Sequence, residues 1–269
     1  MRFIQSCSVE SPWFAPGADV AGVGNAGLRI SGGGGHQSKT LMLQELSVLL
    51  SEAESRGLAA AIAAVSAENL FGKASGAASG SALANLIKLY GIKAPPPITR
   101  ALIRLWATDA ASRPMLALLC ALARDPLLRD TADVVVRAPV GEPLRWPAIA
   151  EEIERRHPCR FSPAMLKSLS QNCASSWTQS GHVSGRVAKT RTRAKASPEA
   201  AAFAALIAQY AGFGGPALLS SPWMVVLDAP PEERLGLLRR AQGRGLVRVR
   251  HAGAVFELKT SPELVDDLA

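Results

Sequence analysis

Residues 146–195 read WPAIAEEIERRHPCRFSPAMLKSLSQNCASSWTQSGHVSGRVAKTRTRAK, and this stretch sets the architecture. Trp146-Pro147 opens a short amphipathic helix, with Pro147 near the first turn, where a missing N–H costs nothing. His157 to Phe161 is a turn. Ser162 then supplies the hydroxyl of an N-cap and Pro163 the first helical position, so a second helix runs through Trp177 and fades at Gly181. Helix, brief turn, helix is the spacing of a helix-turn-helix. The basic tract that follows reads as a hairpin wing or as a mobile finger that a partner orders.

Working outward, Ser197-Pro198-Glu199 starts an Ala-rich helix that ends near Gly212, and Pro231-Glu232-Glu233 starts another that ends at Gly243. Acids in the first turn of the latter and arginines in its last turn suit the helix dipole. LVRVRHAGAVFELK then alternates about His251-Ala252-Gly253, which predicts a C-terminal β-hairpin. A helix feeding a hairpin has winged-helix character. Upstream, Pro139, Gly141, Pro143 and Pro147 cannot sustain a regular element and place a boundary near residue 138. Before it, helical stripes run from Thr40 to Leu50, Leu58 to Phe71, Ser81 to Tyr90, Ile98 to Trp106 and through LALLCALAR, while Val134-Val135-Val136 reads as a short strand. Residues 1–39, rich in glycine with the run Gly32 to Gly35, form a loose arm. The expectation is therefore a mainly α protein with an arm at 1–39, a helical domain at 40–137 and a helix-turn-helix or winged-helix domain at 138–269.

Composition agrees with helices, since 48% of the 269 residues are hydrophobic but only 5% are aromatic, too few for a sandwich or barrel. The four cysteines lack CxxC spacing and the N-terminus lacks the apolar core of a secretory signal, so a reducing cytoplasm is expected. Apolar runs such as Met115 to Ala123 stop well short of the roughly 20 residues that cross a bilayer, and no membrane partner is expected.

Charge is the most informative property. Thirty Lys and Arg against twenty-two Asp and Glu leave +8, and the cations gather in three acid-free windows, Glu68 to Asp109, Glu154 to Glu199 and Glu233 to Glu257. Clustered like charges repel, and phosphate neutralisation relieves that repulsion with release of counterions. In the middle window Lys167, Ser168, Ser170, Gln171, Asn172 and Ser175 offer groups suited to phosphates and base edges, with Ser168, Gln171 and Asn172 nearest the bases, and Arg186, Lys189, Arg191, Arg193 and Lys195 form the basic finger. Arg244, Arg248 and Arg250 are a second candidate contact. Trp146 and Trp177 read as core residues.

Two nucleotide motifs compete with this reading. Gly22 to Gly27 spells G-x-G-x-x-G but lacks a strand before it. Gly33 to Thr40 approximates a P-loop with Ser38 in place of its final glycine, which would put Lys39 on phosphates, Thr40 on magnesium and Asp228, at the end of a Walker-B-like strand Trp223-Met-Val-Val-Leu, near the metal. The parallel strands such a loop needs are missing from the pattern, and Ser38 or Thr40 as the cap of the next helix is preferred. His157, Cys159, Cys173 and His182 match no zinc spacing, and no nucleophile stands out, so neither cofactor, metal nor catalytic residue is expected.

The order of SKTLMLQELSVLLSE, AENLFGKASGAASGSALANLIKLYGI, LALLCALARDPLLRD and FSPAMLKSLSQNCASSW, over roughly residues 38 to 228, resembles the BrxA family of bacteriophage exclusion (BREX) defence systems. The resemblance implies an all-α fold of helix-turn-helix or winged-helix character, non-enzymatic binding of double-stranded DNA, and action beside larger subunits of a phage-defence complex. A protein–protein adaptor is the alternative, because an acidic subunit attracts Lys and Arg as DNA does.

Overall fold

Met115–Arg124 and Glu199–Ala208 are buried residue after residue. A helix that is covered on every side must lie at the centre of the others. These two segments are that centre in the computed structural model, which describes residues 11–32, 34–252 and 255–266. The readings placed on residues 1–10, Gly33 and Gly253 lie outside that range.

In chain order the helices are α1 (Val20–Asn25), α2 (Leu43–Arg56), α3 (Leu58–Ala67), α4 (Gly76–Tyr90), α5 (Pro97–Trp106), α6 (Arg113–Arg124), α7 (Pro126–Arg129), α8 (Ala132–Arg137), α9 (Trp146–Arg156), α10 (Pro163–Gln179), α11 (Pro198–Tyr210), α12 (Gly215–Ser220), α13 (Pro222–Val225) and α14 (Pro231–Gly243). Strands β1 (Val183–Ser184) and β2 (Thr190–Arg191) pair antiparallel, as do β3 (Val247–Ala252) and β4 (Val255–Thr260). The chain is thus mainly helical with a C-terminal two-stranded sheet. Caps fall where the serines predict them: Ser162 Oγ accepts from Met165 N and Ser197 Oγ from Ala200 N. Helix α6 packs on α4, α5 and α10, and α11 packs on α5, α6, α13 and α14. One contiguous apolar cluster extends from Trp13 to Leu264.

Four local expectations need correction. Val134-Val135-Val136 is helical, in α8, because it follows the capped turn of α7 and Val135 is driven into the core where no strand lies alongside to pair with. Helix α2 begins at Leu43, after Met42 in a left-handed conformation, and its first N–H is taken by Gln179 Oε1 from α10 instead of by a Ser38 or Thr40 cap. Helix α4 begins at Gly76, ahead of the Ser81 start expected from sequence, with Ser75 as cap. Trp223 to Asp228 is not a strand: α13 covers its start and Asp228 turns at φ 59°.

The described part of the arm is not loose. Trp13 is buried edge-on against Trp223, whose Nε1 donates to Trp13 O at 2.8 Å. Arg124 Nη1 donates to Gly27 O and Arg129 Nη2 to Arg29 O, so two nearly buried arginines carry the segment as substitutes for strand partners. His36 ends the run with no exposed surface. Gly34 is dictated by contact, because a Cβ there would lie 1.6 Å from Asp125 Oδ1.

Candidate nucleic-acid interface

Helices α9 and α10 meet through the turn 157–162. His157 Nε2 lies 2.8 Å from Asp130 Oδ2, and Cys159 N donates to Glu154 Oε1 at 2.8 Å, so both ends of the turn are fastened. Burial along α10 is uneven. Leu169, Cys173, Ala174, Ser176 and Trp177 enter the core, whereas Ser162, Ala164, Met165, Lys167, Ser168 and Gln171 face solvent. The N-terminal half of α10 therefore projects. Lys167 Nζ lies over the ring of Trp146, 5.6 Å from its centroid. Trp146 is consequently a half-open platform, 36% exposed, not the core residue that composition suggests, while Trp177 is buried as expected. Asn172, expected near base edges, turns inward and donates from Nδ2 to His36 O at 3.0 Å.

The basic tract is ordered by its backbone. Val183 pairs with Arg191 and Ser184 with Thr190, and the segment before α9 fastens the outer side: Arg191 N donates to Glu142 O and Leu144 N to Lys189 O. Only Gly185 to Ala188 project from this small sheet, carrying Arg186 and the 94%-exposed Val187. Lys189 Nζ donates to Thr178 Oγ1 at 2.8 Å, which brings the root of the hairpin against the C-terminal half of α10. Partial burial pulls the Lys189 pKa down.

Arg191 overturns its assignment as a phosphate contact. Its side chain is 1% exposed, with Nη1 and Nη2 at 2.9 and 2.7 Å from the two oxygens of Asp228 and Nε donating to Val135 O at 2.8 Å. Asp228 also accepts from Ala194 N. Burial alone raises the Asp228 pKa, but these donors outweigh it and hold the carboxyl below its ordinary value. No local feature of RVAKTRTRAK marks Arg191 as the inward cation, because its partner lies 37 residues downstream. Arg193 and Lys195 remain exposed. Arg244 is bonded to the buried Glu199, whereas Arg248 and Arg250 stand open on β3.

His182 completes the support beneath the hairpin. Its Nε2 donates to Val226 O at 2.8 Å, Nδ1 faces Ser180 Oγ, and burial pushes its pKa down to about 4. A folded-state pKa below the unfolded value of about 6.5 gives stability that is complete above that pH and is lost as pH falls towards 4, about 3 kcal/mol in full. Urea midpoints at pH 7.5 and 4.5 are expected to differ accordingly, and His182→Gln should shrink the difference. An undiminished acid loss in that variant would assign the effect to carboxylates instead.

The rival phosphate loop acquires a different role. Residues Gly35–Gln37 form one 3-10 turn that buries His36, whose Nδ1 lies 2.7 Å from Asp125 Oδ2 and whose Nε2 lies 2.8 Å from Ser176 Oγ. This is the bonding order of a Ser-His-Asp relay, brought together from three distant segments and unmarked in the sequence. All three residues have no exposed surface, and Leu41 N also bonds to Ser176 Oγ, so the group fastens the chain with no path for a substrate. Lys39 and Thr40 line a groove of about 1,020 Å³ between α2, α4 and α10, while Asp228 is taken by Arg191. Among the described residues no three His, Cys, Asp or Glu side chains group as metal ligands, and no helix is long and apolar enough to cross a membrane.

No known family matches the chain, and no curated protein matches it.

Proposed function

We propose that the chain is a non-enzymatic double-stranded DNA-binding protein in which α9 and α10 act as a helix-turn-helix and the β1–β2 hairpin as its wing. The observation that carries the reading is the projection of the N-terminal half of α10, with Lys167, Ser168 and Gln171 exposed while its C-terminal half is locked in the core. A recognition helix presents its N-terminal residues to the major groove in that way. Arg186, Arg193 and Lys195 are the nearby exposed cations of the basic tract, and the net charge of +8 supplies long-range attraction. Participation in a phage-defence complex rests on the BrxA resemblance alone. An adaptor role draws on one observation, the shallow pocket of Trp146, Pro147, Ala150, Pro158 and Leu166 beside α10, edged by Glu151, Glu154 and Arg155.

A gel-shift titration of a duplex at two salt concentrations tests the proposal. Affinity in the micromolar range or tighter at low salt, falling steeply as salt rises, is expected. Replacing Lys167, Arg186, Arg193 and Lys195 by alanine should weaken every duplex about equally, whereas Gln171→Ala matters only where sequence is read. Absence of binding at low salt, alongside displacement-resistant binding of an acidic protein, would replace this reading with the adaptor.

A further inference from the structure

The open face of the β3–β4 hairpin carries a charge pattern that the fold does not use. Alternation turns Val247, Phe256 and Leu258 inward and leaves Arg248, Arg250, Glu257 and Lys259 on the solvent side. Register places Arg248 directly opposite Lys259 and Arg250 opposite Glu257. Like charges facing each other across a ladder oppose pairing, so Arg248 and Lys259 do not stand there for the sheet's stability. Glu257 is shared, 3.9 Å from Arg250 Nη1 and 3.8 Å from Lys259 Nζ, and all three side chains are about half or more exposed. One carboxylate set against three cations leaves the strip with excess positive charge. Together the four side chains line a small depression in which every group is charged.

We infer that this face is a second phosphodiester-binding surface, with Arg248, Arg250 and Lys259 on the backbone of duplex DNA. Successive same-face residues on a strand lie about 6.6 to 6.8 Å apart, which presents a row of cations to a chain of repeating negative charge. Helix α14, which packs on β3, extends the positive field through the exposed Arg239 and Arg240. The hairpin packs on α11, α12 and α14, elements distinct from α9 and α10, so this surface adds contacts to those of the proposed recognition helix. The inference rests on the DNA-binding reading for its ligand class, but its residues are separate.

The test uses the full-length protein and a labelled 20-base-pair duplex, with polyglutamate as the acidic-protein surrogate. The triple variant Arg248→Ala, Arg250→Ala, Lys259→Ala is expected to melt with wild type, since only weak exposed pairs are lost. Its affinity should fall about tenfold at 0.1 M salt, and the slope of log K against log salt should become shallower by about 2 to 3, as three phosphate contacts disappear. Glu257→Gln should tighten binding and steepen the slope. An unchanged slope in the triple variant, while the Lys167, Arg186, Arg193, Lys195 variant loses affinity, would overturn the hairpin surface and leave the α10 reading intact. Polyglutamate binding as tightly as duplex would overturn the assignment to nucleic acid at both surfaces.

Discussion

Arg191→Ala is expected to lower the free energy of unfolding by about 3 to 5 kcal/mol, the cost of breaking a buried, hydrogen-bonded ion pair by removing one partner. Arg191 is 1% exposed and bridges Asp228 to carbonyls of α8 and of His182, so alanine leaves the Asp228 carboxylate without its counter-charge and Val135 O without its arginine donor, and opens a cavity, although His182 O keeps its bond from Thr192 N. Asp228→Asn should cost a comparable amount for the opposite reason: it leaves the guanidinium buried without a counter-charge, although asparagine tolerates the left-handed backbone at φ 59°. Combining Arg191→Ala with Asp228→Asn removes both charges, and the double variant should lose less than the two single losses added. Urea denaturation of the four proteins measures this cycle. Losses below about 1 kcal/mol in both single variants would mean that water reaches the pair. Because the Arg191 backbone is also the seam of β2, holding Glu142 on one side and Val183 on the other, the same substitution should weaken duplex binding under conditions where the protein is still folded. Arg191 would then act on DNA through the hairpin it positions, not by touching a phosphate.

Arg191 also illustrates what the sequence hides. Periodicity, proline and serine mark the starts of α9, α10, α11 and α14 and the alternation of β3 and β4, because those signals act over one or two turns of local chain. Which half of α10 faces solvent is not marked in that way, since Asn172 reads like Gln171 in sequence yet turns inward to His36 O. The partner of a buried charge is not local. Arg191 and Arg193 share one local sequence context, and what separates them is set by distant chain, chiefly Asp228 and the Val135 carbonyl. The valine run of α8 shows tertiary burial overriding β-propensity, as happens where no neighbouring strand exists to be joined. The glycine-rich segment misleads for a further reason. Glycine marks both loose chain and chain passing close to another group, and composition cannot tell Gly34, pressed against Asp125, from a linker residue.

Asp125 is where that segment is fastened, and Asp125→Ala is expected to cost about 3 to 5 kcal/mol, as large as the loss of Arg191. The carboxylate does two jobs at once. Oδ1 accepts from Leu127 N and Leu128 N as the N-cap of α7, and Oδ2 accepts from His36 N and lies 2.7 Å from His36 Nδ1. Burial by itself raises the Asp125 pKa, yet the His36 ring and the backbone N–H groups of His36 and Leu128 outweigh it and leave the carboxyl below its ordinary value. A depressed carboxyl pKa gives stability that is present above the unfolded value near 3.9 and is lost as pH falls through the folded one, so this fastening fails only in strong acid. Removing the side chain frees His36 from α7 and leaves it held to α10 by Ser176 Oγ on its ring and Asn172 Nδ2 on its carbonyl. Limited proteolysis should then cut between Gly34 and Thr40 faster than in wild type, where Gly34 to His36 are buried. Gly34→Ala should open the same sites without touching a hydrogen-bonding group, since its methyl and the carboxylate claim one position. If Asp125→Ala stayed within about 1 kcal/mol of wild type and kept its protease resistance, the fastening would lie elsewhere, in Trp13 and the arginine bridges. The relay geometry adds a chemical reading of the same event: Ser176 in the intact protein should not react with a fluorophosphonate, because the residues that would activate it are the ones that seal it. Nor should it label in the Asp125 or Gly34 variants, because the departing segment takes His36 away from Ser176, and labelling of the wild type at Ser176 would show instead that a reagent reaches the relay with its base in place.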